Sequence, residues 1–217
     1  MSYPSCPQCL FYGNHYFPYA QPARQYSNQM HSYNSEQCIS KTEVNFKSLH
    51  RIIWLEHVNW TRLTIISIVN SLQDIEFVQD RLLRNAIHMG NFIRPYYGDR
   101  IANQYTALIK EHLVLAAELV TAAVKGDSKT AEEKEKAWYK NADEIASFWN
   151  SINPYLSKEE IKKMFNTHLA LTKQEAVSII QKNYKESIEV FDKIEFQAIE
   201  MADMISDAII RQFQHCF

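Results

Sequence analysis

Glycine is scarce in this chain of 217 residues. Four occur, Gly13, Gly90, Gly98 and Gly126, and none lies close to another. A phosphate-binding loop needs closely spaced glycines at a helix N-terminus, so the lack of any G-x-G or GK[ST] run excludes the usual nucleotide cradles. Apolar runs approaching the roughly 18 residues that span a bilayer are also missing, which predicts no membrane span. The formal net charge is -2, leaving no electrostatic reason to expect nucleic acid as a partner. The first residues lack the basic-then-apolar pattern of a secretory signal, so a cytoplasmic location is expected. Strand-like alternation of apolar and polar residues is found nowhere. Cysteine is limited to Cys6, Cys9, Cys38 and Cys216, none placed to staple a core.

What is present divides the chain in two. Residues 1–41 scatter Tyr3, Tyr12, Tyr16, Tyr19, Tyr26 and Tyr33 among Pro, Ser, Asn and Gln. With hardly an aliphatic residue, such a segment buries too little surface to offset its ordering entropy, which predicts a disordered tail. A tyrosine-rich tail suits self-association or contact with a protein partner. Cys6-Pro-Gln-Cys9 has the spacing of a zinc half-site that His15, His31 or Cys38 would complete. A second CxxC is absent, and a loose tail is the simpler reading.

Residues 42–217 carry helical periodicity throughout. Six segments are predicted: 42–72, 74–92 opened by Asp74, 99–126 closed by Gly126, 127–152, 158–181 and 184–213. Pro95 and Gly98 separate the second from the third. Ser157 and Glu160 form a capping box ahead of the fifth. The expected fold is an all-α antiparallel bundle of four long helices plus two additional ones, of ferritin-like or four-helix up-and-down type.

Polar residues interrupt the apolar stripes of that bundle. Ile101, Tyr105, Leu108, His112, Leu115 and Leu119 step by three and four, placing His112 on a buried face. Similar stripes carry Glu56, Asn141, Glu195, and His168 with Glu175; Glu144 stands three residues from Asn141. His57 adjoins Glu56, so the two point about 100° apart and one of them faces inward.

Three chemistries fit. Imidazoles and carboxylates on facing helices can hold Fe, Mn or Zn, with the set drawn from Glu56, His57, His112, Asn141, Glu144, His168, Glu175 and Glu195. The Glu-x-x-His spacing of di-iron carboxylate centres is missing. The same groups can instead form a closed structural network, with Glu56, Glu144 and Glu195 pairing with Arg62, Lys173 or the histidines. Acid–base catalysis would use His112 or His168 with Glu144 or Glu195 as orienting carboxylate. The four tryptophans fall at helical spacing and read as core.

Several runs resemble a family of short helical proteins from spore-forming bacteria. They are Leu55-Glu-His-Val-Asn-Trp-Thr-Arg-Leu63, Glu111-His-Leu-Val-Leu-Ala-Ala-Glu-Leu-Val120, Trp138-Tyr-Lys-Asn-Ala-Asp-Glu-Ile-Ala146, Ile152-Asn-Pro-Tyr155, His168-Leu-Ala-Leu171 and Met201-Ala-Asp-Met204. The resemblance covers about residues 50–213 and implies a helical fold and an association with the spore. Members often carry the label acetylglutamate kinase; a phosphate-binding glycine loop of the kind that activity uses is not found in this chain. The Glu56-His57-x-x-Trp60 run is also similar to a second helical family thought to bind metal through Glu and His. That similarity would apply to Glu56 and His57 and, by repetition of the pair, to Glu111 and His112.

Overall fold

A computed structural model describes residues 40–217. The expectations for the tail and for Cys6 and Cys9 lie outside the described residues. Five helices follow in order: α1 (Lys41–Val69), α2 (Ile75–Val124), α3 (Ser128–Ile152), α4 (Lys158–Ile180) and α5 (Tyr184–Gln212), with a short 3-10 turn at Gln214–Cys216. The described residues contain no strand, and the chain is the all-α bundle that its periodicity predicts. Among them no helix is long and apolar enough to cross a membrane.

Local chemistry sets the boundaries. Ser40, Asp127, Ser157 and Asn183 each accept a hydrogen bond from the backbone N–H three residues on, capping α1, α3, α4 and α5. Asp74 stands at the start of α2 as expected but does not cap it; its carboxylate accepts from Ser67 Oγ instead. Gly126 takes the left-handed conformation that ends α2. With glycine so scarce, Ser71 and Lys182 adopt positive φ after α1 and α4.

The break expected at Pro95 and Gly98 is real, and sharper than a kink. Gly98 has φ 77° and ψ 174°, outside the helical region. Arg94 clamps the bend, donating to Asp99, Asn91 and Asn103. Two arms, residues 75–97 and 99–124, fold back on each other so closely that a Cβ on Gly90 would meet the Ala102 carbonyl oxygen at 2.8 Å. α2 is therefore a helical hairpin, and the bundle has six arms.

Those arms group as three consecutive hairpins of one sequence pattern. α1 packs on α2, α2 on α3 and α4 on α5, while α3·α4 and α1·α5 contacts close the bundle. Asn85-Ala-Ile-His-Met-Gly-Asn-Phe-Ile93, Asn141-Ala-Asp-Glu-Ile-Ala-Ser-Phe-Trp149 and Gln197-Ala-Ile-Glu-Met-Ala-Asp-Met-Ile205 occupy equivalent places. Within them Ala86, Ala142 and Ala198 are fully enclosed, as are Ile93, Trp149 and Ile205. The first arms match likewise, over Ile53–Val58, Leu108–Leu113 and Met164–Leu169.

One expected face is rotated. Glu56, expected on a buried stripe of α1, looks outward together with Leu49 and Leu63, and Leu49 is 52% exposed. The buried stripe is Phe46, His50, Ile53, Trp54, His57 and Ile65. Both faces carry enough apolar residues to satisfy a 3.6-residue period, and packing against α2 and α5 selects one.

Candidate functional site

Each hairpin contributes one buried histidine and one carboxamide. His57 Nδ1 lies 3.3 Å from Asn85 Oδ1, His112 Nδ1 3.0 Å from Asn141 Oδ1, and His168 Nδ1 3.1 Å from Gln197 Oε1. The amide nitrogens donate in turn to Ile53 O, Leu108 O and Met164 O, the carbonyls one turn before each histidine. The separations are 28, 29 and 29 residues, so the same module recurs in each hairpin.

The pattern fixes the tautomer. A backbone carbonyl can only accept, which assigns the amide NH2 to it and the amide oxygen to the histidine. Nδ1 must then carry the proton, leaving an Nε2 lone pair on His57, His112 and His168. In His112 that lone pair accepts from Trp138 Nε1 at 3.2 Å. Among the described residues, His57 and His168 make no hydrogen bond through Nε2.

The three rings are neighbours. His57 and His168 have ring centroids 5.7 Å apart, His57 and His112 6.4 Å. All three are buried. Burial lowers His112 to about 3 and His168 to about 4, because the imidazolium would lose its hydration. His57 is lowered well below its ordinary value by burial, with His168 and His112 adding to the effect. The centre is neutral and polar in an apolar shell of Trp54, Phe165 and Trp138.

A fourth histidine, His50, extends the network without joining the triad. Its Nδ1 bonds Ala202 O at 3.0 Å and Ser206 Oγ at 2.8 Å, and its Nε2 accepts from Trp54 Nε1 at 3.1 Å. Burial lowers it to about 3. Both nitrogens are used.

The eight predicted site residues do not meet at one point. His57, His112, Asn141 and His168 share the centre just described. Glu175 is buried elsewhere, in contact with the Arg62 guanidinium, which also donates to Ser187 O and lies over the Phe191 ring. Burial raises Glu175 to about 7 against the opposing pull of Arg62. Glu56 is partly exposed and pairs with Arg81 and His88. Glu144 pairs with Lys140 at the surface. Glu195 is half-buried and accepts a long bond from Asn59. Adjacency explains Glu56: His57 points inward, so its neighbour points out, as Glu111 does beside His112. None of these carboxylates orients His57, His112 or His168; the orienting groups there are the neutral amides. Among the described residues, no three His, Cys, Asp or Glu side chains stand close enough together to hold an ion as they are.

Sequence reasoning gave no role to Asn85, and missed Gln197, His50 and the Trp138 donor. Superposing residues 85–93, 141–149 and 197–205 would have found both amide partners, because each histidine precedes its carboxamide by almost the same interval. No protein-family model, curated protein or solved structure matches this chain.

Proposed function

We propose that the three-histidine centre binds one transition-metal ion through Nε2. His57 and His168 supply the first two ligands, and His112 joins by giving up its bond from Trp138. The observation carrying this reading is the thrice-repeated His–carboxamide module, which presents the same nitrogen on each ring and anchors the other. Metal-ligating histidines almost always donate their second ring N–H in this way, which sets tautomer and orientation. Two imidazoles on one tetrahedral ion place their centroids roughly 5–6 Å apart, given a metal–nitrogen distance of about 2.0 Å. His57 and His168 already stand at 5.7 Å. His112 must approach.

Donors that are all imidazole suit zinc or iron; manganese prefers the oxygen ligands that lie elsewhere here. Three protein ligands leave a fourth position open to water or a small molecule, the arrangement of catalytic rather than structural zinc. The similarity to a helical family thought to bind metal supports His57 as a ligand; Glu56, to which it applies equally, points away toward Arg81 and His88. Titration of chelator-treated protein with Co(II) tests the reading. One equivalent should give the intense visible bands of a tetrahedral nitrogen site, and His168→Gln should abolish them. Weak octahedral spectra in both proteins would overturn it.

A second reading rests on a specific observation. His112 and His50 have both ring nitrogens satisfied within the protein, and a network closed this way fixes helix register with no ion. On that reading the chain is a structural or interaction protein, associated with the spore if the family resemblance holds, whose tail makes the contacts. Deleting residues 1–41 would then abolish association and leave the bundle folded.

A further inference from the structure

One helical turn past the histidines, the helices that carry them line a cavity of about 410 Å³ that is open to solvent on one side. Thr61 and Thr172, each four residues beyond its histidine, line it near the centre. Ile65, Val120 and Ala176, equivalent positions in the three hairpins, line it farther out, and Trp138 lines it from α3. Trp138 therefore touches both places: its ring faces the cavity and its indole N–H holds His112.

This space is not ordinary packing slack. Protein interiors are close-packed, and an enclosed void of about 150 Å³ already admits benzene. Here the lining side chains split the buried core in two: Ile65, Ile68, Val120, Ala176 and Ile179 form a cluster separate from the main one. The volume falls in the range of small-molecule sites, roughly 300–1,000 Å³. The wall is overwhelmingly apolar. At the mouth the charges are already matched, Lys173 with Glu135 and Lys136 with Glu132, so an ionic ligand would meet no free counter-charge.

We propose that this cavity binds a neutral, apolar small molecule of about ten to fourteen carbon atoms, at roughly 30 Å³ for each small group it holds. Bound there, the molecule lies against the Trp138 ring, one turn from the histidine centre. The proposal does not depend on a metal being present.

The test uses chelator-treated full-length chain with ¹³C-labelled Ala, Ile and Val methyls, titrated with 1-decanol and separately with decanoate. Saturable shifts at the Ile65, Val120 and Ala176 methyls are expected with 1-decanol, and binding of decanoate at least tenfold weaker. Ala117→Phe, which fills the cavity, should weaken 1-decanol binding at least tenfold; if that variant does not fold, Ala176→Leu takes its place. The proposal is overturned by any of three results. These are no saturable shift at those methyls, decanoate binding as tightly as the alcohol, or unchanged affinity in a folded, filled variant. Because the protein is metal-free throughout, failure here leaves the metal reading standing on its own test.

Discussion

Trp138 donates its indole N–H to Nε2 of His112 across 3.2 Å, occupying the nitrogen that His57 and His168 leave open. The equivalent positions in the other hairpins are Leu82 and Ile194, which have no N–H to give. The three histidine modules thus differ in one donor. Trp138→Phe should free His112, and a neutral hydrogen bond is worth about 0.5–1.5 kcal/mol, which is up to about tenfold in affinity. Calorimetric titration of zinc into the wild type and the variant measures this. Weaker binding in the variant would show that Trp138 supports the centre rather than competes with it.

The carboxamides should each matter about equally. Replacing Asn85, Asn141 or Gln197 by Leu leaves a buried Nδ1–H without a partner and removes the second bond to a helix carbonyl, at about 1–3 kcal/mol. Urea denaturation of the three single variants should give similar losses. An effect confined to one of them would break the equivalence of the modules.

Gly90 occupies the position held by Ala146 and Ala202 in the other hairpins, yet it cannot be alanine without displacing Ala102 or Thr106. The tight fold-back at Gly98 brings the two arms of α2 together there. Gly90→Ala should destabilise the bundle by about 1–3 kcal/mol through overpacking. Thermal melts of the variant check it, with Ala146→Gly as the comparison; that change loses a buried methyl and should cost about 1 kcal/mol.

Acid should unfold this protein from the inside. His50 is lowered to about 3 in the folded state from an ordinary 6.5. Between those values the unfolded chain binds the extra proton, so stability falls as pH drops below 6.5, by about 1.4 kcal/mol per pH unit for such a group. Glu175 acts in the opposite sense. Raised to about 7, it is protonated more readily when folded, and it adds stability as pH falls from 7 toward 4.5. Urea midpoints between pH 7 and 5 should therefore fall with acid in the wild type, less steeply in His50→Gln and more steeply in Glu175→Gln.

Helices, the Ser157 cap and the break at Gly98 were legible in the sequence because each has a local cause: a 3.6-residue period, a Ser three residues before a Glu, a proline and a glycine in succession. The cap expected of Asp74 was not formed, because its carboxylate turns to Ser67. Burial of His112, Asn141 and His168 followed from the same periodicity; in α1 that periodicity picked out Glu56, where His57 is the buried neighbour. The carboxylates misled for a physical reason. Glu56 and Glu195 lie at the edges of apolar stripes, where a long side chain reaches solvent or an arginine while its stem stays packed. Glu175 is buried but satisfied by Arg62, a pairing across 113 residues that no local pattern reveals. The three-hairpin repeat was present in the sequence all along. Its signal is carried by a few enclosed positions, Ala86, Ala142 and Ala198 among them, while the exposed faces have diverged.

Metal content decides between an ion-binding centre and a purely structural one. Full-length protein carrying Cys6→Ser and Cys9→Ser, so that the tail cannot contribute, would be purified without chelator or affinity metal and analysed by inductively coupled plasma mass spectrometry. Close to one zinc or iron per chain, lost when His57→Gln and His168→Gln are added, is the expected result. Folded protein that holds no metal, even after incubation with zinc or iron(II) and gel filtration, would contradict it.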